Sequence, residues 1–116
     1  MNILNAENEY LALVINYNDF LEKTILKKEY FEGKERAMFE ILTAEYQKNR
    51  SLVISELIKY KNFDINYFAE LLNGNIYNSS KELKFKLLEK QIIENFKSRQ
   101  LKRAISMYQG DNNSFF

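Results

Sequence analysis

Two carboxylate clusters, Glu7 with Glu9 and Glu29 with Glu32 and Glu35, are the side chains best suited by type and spacing to chemistry. On helices such groups hold divalent metals or work as acid–base pairs, but helical di-metal sites combine Glu with a His three residues on. The 116-residue chain has no His and no Cys. The usual general base, the thiolate nucleophile and the commonest metal ligands are therefore missing. Gly33-Lys34 is followed by Glu35, with no glycine five residues earlier, which excludes a phosphate-binding loop there. The clusters are expected to be solvated surface. No catalytic residue, cofactor or metal site is expected, and binding or scaffolding is the favoured class.

Charge offers a second route to function. Residues 1–45 carry nine acids and five bases, whereas residues 81–103 carry eight bases against Glu82, Glu89 and Glu94. Such a basic segment suits phosphate or an acidic protein surface. Its bland reading is the solvated face of a lysine-rich helix, with Glu89 and Glu94 pairing Lys86, Lys90 and Lys97. Weak nucleic-acid contact stays open. Residues 53–72 have the outline of a helix-turn-helix, which makes a small DNA-binding protein an alternative. Its second helix, however, offers Asn66 and Glu70 and no base, so phosphate would be repelled. The many aromatic residues fall mostly at core spacing, which favours packing over stacking on bases.

The elements that must position these residues are helical. There is no Pro and only three Gly, while Asn, Asp and Ser serve as turn and cap residues. Asn5 is expected to cap a first helix with Tyr10, Leu11, Val14 and Tyr17 in one stripe. A turn at 16–19 leads to a short helix, capped by Asn18 or Asp19, with Phe20, Leu21, Thr24 and Ile25 facing inward. A third helix spans about Gly33 to Asn49, burying Met38, Phe39, Leu42 and Tyr46 and leaving Lys34, Glu35 and Glu45 outside. Short helices follow over 53–61 and, after an Asp64 cap, to Leu72, the latter burying Phe68, Leu71 and Leu72 and ending in a left-handed cap at Asn73-Gly74-Asn75.

Ser79 or Ser80 then caps the longest segment, residues 80–108. Its seam runs Leu88, Ile92, Phe96 in four-residue steps and Leu101, Ile105, Tyr108 after a step of five, which suggests a bend near Lys97-Ser98 or a change of partner. The expected fold class is all-α, with about six helices. Residues 1–79 make a globular head, 80–108 pack on it as the first arm of a helical hairpin, and 109–116 are a truncated continuation, all within one domain. No apolar run suits a membrane span or a signal peptide, so a cytoplasmic protein with no membrane partner is expected.

Four segments in order resemble a known family. Ala6-Glu7 with Tyr10-Leu11-Ala12, Tyr30-Phe31 with Glu35 and Met38-Phe39, Tyr67-Phe68-Ala69-Glu70-Leu71, and Phe85 through Arg99 and Leu101 resemble the N-terminal domain of DnaB-type replicative helicases. Ala12 and Glu35 replace that family's usual Gly and His. Asn62-Phe63-Asp64 stands where a Gly-Gly segment is usual, and the stretch from Asn49 to Tyr67 is shorter. The structural cousin of that domain, the C-terminal helicase-binding domain of DnaG-type primases, is the alternative.

The resemblance implies a non-catalytic interaction module of a bacterial or phage replisome. In the helicase family the domain forms the collar of the ring, pairs through its helical hairpin and docks primase, and the ATPase domain follows it. The implied partners are primase or the replicative helicase, a helicase loader, and further copies of the parent protein. The interface expected on the long helix comprises Leu88, Ile92, Phe96, Arg99, Leu101, Ile105 and Tyr108.

Overall fold

The computed structural model describes residues 5–74 and 80–111, and these are all-helical, with six α-helices and one 3-10 turn. Asn5 caps α1 (Ala6–Asn16) by accepting the Asn8 backbone N–H at 2.8 Å, and Glu7 and Glu9 suit the positive end of the helix dipole. Tyr10 through Ile15 are six consecutive apolar residues, and all six are buried. The single stripe expected from spacing is therefore too narrow. A helix apolar on every side must be covered on every side, and α3, α5 and α6 surround α1.

Asn18 acts differently from a helix N-cap. Its side-chain amide donates to the carbonyls of Val14 and Ile15 at 3.0 and 2.8 Å, closing the end of α1, while Asp19 precedes α2 (Phe20–Lys23) without a side-chain bond. Phe20 and Leu21 face inward as expected. Ile25 does not: it is 64% exposed, and Leu26 takes the buried place, because α2 ends at Lys23 and extended backbone at Thr24 breaks the helical phase. A 3-10 turn at Lys28–Tyr30 follows, held by Arg36 Nε donating to the carbonyls of Lys28 and Phe31.

Helix α3 (Gly33–Asn49) has the expected bounds. Gly33 takes φ +57°, a left-handed entry that glycine adopts without the strain of a Cβ. Glu45 departs from expectation. It is fully buried, contacting the Asn49 amide and accepting from Tyr60 O–H at 3.4 Å, so it ties α3 to the chain beyond α4. Arg50 ends α3 in the left-handed region at φ 57°, steadied by Glu22 and the Tyr46 ring.

Helix α4 (Ile54–Leu57) is a single turn rather than the helix expected over 53–61, so the two-helix outline of a DNA reader has no full first helix. Leu57 is buried, and the backbone beyond it makes tight turns. Asp64 caps α5 (Ile65–Leu72) through the Tyr67 N–H as expected, but Leu72 is exposed; of the cap expected at Asn73-Gly74-Asn75, Asn73 is at φ −87° and not left-handed, and Asn75 lies outside the described residues. Ser79 lies outside the described residues. Ser80, at φ 58°, offers its carbonyl to Lys84 N–H at the start of the last helix.

That helix, α6 (Lys81–Asp111), runs 31 residues without interruption through Lys97 and Ser98 and continues past Tyr108, so part of the continuation expected from residue 109 is helical, while 112–116 lie outside the described residues. At ~1.5 Å per residue it spans ~46 Å, which sets the longest dimension of 56 Å against 34 and 27 Å. The radius of gyration of 16.6 Å exceeds the ~13 Å usual for this length, because one end of α6 projects beyond the head.

Candidate protein-interaction surface

The long helix divides into an anchored part and a projecting part. Phe85, Leu88, Glu89 and Ile92 are buried against the head. Phe85 stacks between Tyr10 and Phe20, with ring centroids 5.2 and 4.5 Å away. Glu89, only 5% exposed, receives three bonds on Oε2: from Tyr10 O–H at 2.9 Å, Thr24 O–H at 3.1 Å and Ile25 N–H at 3.1 Å. Glu89 is thus core and not the surface partner of Lys86 and Lys90 expected from helical spacing. Its spacing of four from Phe85 and three from Ile92 was the signal that it shares their inward face. Burial, with the Glu89 carboxylate beside it, pushes the Tyr10 phenol well above its ordinary pKa.

The next turns are held by charge. Phe96 is half-buried on Tyr30, with ring centroids 4.9 Å apart. Arg99 donates to the Tyr30 carbonyl at 2.9 Å and faces Glu7 at 3.5 Å. Its buried Nε lies 2.7 Å from Glu32 Oε1, a charge contact whose angle does not make a hydrogen bond. Arg103 reaches the other Glu32 oxygen at 2.7 Å. Glu7 and Glu32, read as solvated carboxylates, are thus half-buried partners of this arginine pair.

The seam residues therefore separate. Leu88 and Ile92 are core and not available at the surface of this fold, and Phe96 and Arg99 dock the helix on the head. Leu101, Ile105 and Tyr108 are 61, 48 and 64% exposed along one face, and Met107 is exposed on another side of the helix. The five-residue step after Phe96 turns Leu101 to a different face of α6, while Arg99 and Arg103 stay on the head, so the helix projects beyond Arg103. A second exposed apolar set, Ile65, Ala69 and Leu72 at i, i+4 and i+7 on α5, was missed because Leu72 was read as core.

The four segments that carry the family resemblance meet around the start of α1. Glu7 faces Arg99, Arg99 binds the Tyr30 carbonyl, and Tyr67 O–H contacts the buried Asn8 side chain. Burial pushes the Tyr67 phenol upward as well. Comparisons with protein-family models, with curated proteins and with solved structures each return no match. No helix among the described residues is long and apolar enough to cross a membrane.

Proposed function

We propose that this chain is a non-catalytic assembly module of a replisome, equivalent to the collar domain of a DnaB-type replicative helicase, and that the projecting end of α6 is the surface that meets its partners. The observation that carries this is the exposure of Leu101, Ile105 and Tyr108 along one face of the helix beyond the Arg99 anchor. Apolar side chains grouped on a projecting helix are stabilised when another surface covers them. The ordered motifs at residues 6–12, 30–39, 67–71 and 85–101 support the replisome assignment, since their side chains bind one another rather than lying on unrelated parts of the surface.

The test mixes the purified chain with the primase, the replicative helicase and the helicase loader of its source, reading complex mass by light scattering. A complex with primase or loader is expected. A complex with helicase alone, after self-assembly is measured separately, would replace this reading by the primase-domain alternative. No complex with any of them would refute it. The paired variant Leu101→Lys with Ile105→Glu, at exposed positions, is expected to abolish the complex while leaving helicity and melting unchanged. Retained binding would move the partner surface elsewhere.

A further inference from the structure

A groove of about 710 Å³ lies between α6 and the chain around α2, on the anchored part of the helix and apart from its projecting end. Phe20, Ile25, Phe85 and Ile93 give it an apolar lining, and Ile25 stands largely in solvent at its edge. Lys23, Lys86, Lys90 and Lys97 line it together with Glu82, Glu89 and Glu94. From Glu82 to Lys97 the groove follows α6 for ~22 Å, the length of a four-turn helix.

Four lysines against three glutamates make such a wall weakly basic, and Glu89 is turned inward to Tyr10, Thr24 and Ile25, which leaves Glu82 and Glu94 as the exposed acids of the groove. Lys86, Lys90 and Lys97 are exposed and make no ion pair among the described residues. Lys86, Lys90, Ile93 and Lys97 recur at i, i+4, i+7 and i+11, so the three cations flank an apolar position along one stripe of α6. The walls thus combine an apolar lining with an edge on which four lysines outnumber two exposed glutamates, Glu82 and Glu94. We propose that this groove binds an acidic amphipathic helix of a partner protein, its apolar stripe against Ile25 and Ile93 and its carboxylates along Lys86, Lys90 and Lys97. The apolar contacts supply most of the affinity, and the exposed lysines set orientation and association rate. This site is independent of the replisome assignment and of the projecting end of α6.

The probe is a fluorescein-labelled synthetic peptide of about 15 residues, with leucines at i, i+3, i+4 and i+7 and glutamates elsewhere. Its control has the same composition with the leucines scattered. Saturable binding of the first peptide is expected, with amide shifts concentrated at residues 23–26 and 85–97. The paired variant Lys86→Glu with Lys90→Glu should weaken binding about tenfold or more, and Ile25→Ser several-fold, all at exposed positions that leave the helical signal intact. Equal binding of both peptides would reduce the effect to charge alone and overturn the proposal. So would absence of binding, shifts confined to residues 101–108, or attachment to anionic lipid vesicles without attachment to the peptide.

Discussion

Glu89 is the residue whose replacement most directly tests how α6 is held. Its Oε2 takes hydrogens from Tyr10, Thr24 and the Ile25 backbone, joining α6 to α1 and to the chain after α2. Bonds to a charged acceptor contribute about 1.5–3 kcal/mol each, so three would suggest well over 4 kcal/mol. Two effects lower the net figure. Desolvation of the carboxylate offsets part of the gain, and Thr24 and Ile25 lie near enough to the surface to recruit water. The Tyr10 hydroxyl, buried beneath Phe85, keeps only its Thr24 contact when the carboxylate is removed. Glu89→Ala is therefore expected to cost about 3 kcal/mol, a large share of the 5–15 kcal/mol that holds a domain of this size. Glu89→Gln retains an acceptor oxygen and should cost about 1 kcal/mol. Urea unfolding followed by circular dichroism measures both, and pairing Glu89→Ala with Tyr10→Phe isolates the shared term, expected at about 1–2 kcal/mol. A Glu89→Ala variant as stable as the parent would refute the reasoning. A Glu89→Gln variant as damaged as Glu89→Ala would show that charge, not acceptor count, is what the site requires.

Arg99→Ala removes the contacts to Glu7, Glu32 and the Tyr30 carbonyl, and because the side chain is partly exposed the loss should be about 1–2 kcal/mol, read as a lower melting temperature; Arg99→Lys should recover less than half, since a single ammonium cannot serve all three partners. No change in melting for Arg99→Ala would show that the arginine does not anchor the helix. Stability should also fall above about pH 10. Tyr10 and Tyr67 hold their protons more tightly folded than unfolded, so the unfolded chain loses them first and gains in relative stability as pH rises. The slope should approach about 1.4 kcal/mol per pH unit for each phenol, and Tyr10→Phe should remove its share. Unfolding curves from pH 8 to 11 with no such difference would contradict the burial argument.

Much of the fold was legible because its signals are local. The caps at Asn5 and Asp64 depend on neighbours within a few residues, and the bounds of α3 followed from Gly33 at its start and the polar cluster from Gln47 to Ser51 at its end. Side-chain facing was less legible where it depends on other elements. Glu45 looked external because its charge outweighed its position, yet it sits in a buried contact with Tyr60, fifteen residues on. The run from Tyr10 to Ile15 already contained the evidence for a helix covered on every side, but fitting it to one stripe concealed that. For the candidate surface, the change of step after Phe96 reflected a change of helix face, since Arg103 still holds α6 to Glu32 beyond it. It could not show that Leu88 and Ile92 stay inside, because a seam has the same spacing whether it meets the chain's own core or another molecule.

The opposite charges of the first 45 residues and of residues 81–103 serve two different ends. Lys84, Arg99 and Arg103 are taken up by Glu9, Glu7 and Glu32, which fastens the helix to the head. Lys86, Lys90 and Lys97 have no such role and lie in water along the groove. Screening acts unequally on the two groups, since partly buried pairs at contact distance feel added salt less than exposed charges waiting for a partner. Partner binding at the groove should therefore weaken at salt concentrations that leave melting almost unchanged. If folding and binding instead declined together, the division between anchoring and recognising charges would be wrong, and the basic character of α6 would belong wholly to its attachment to the head.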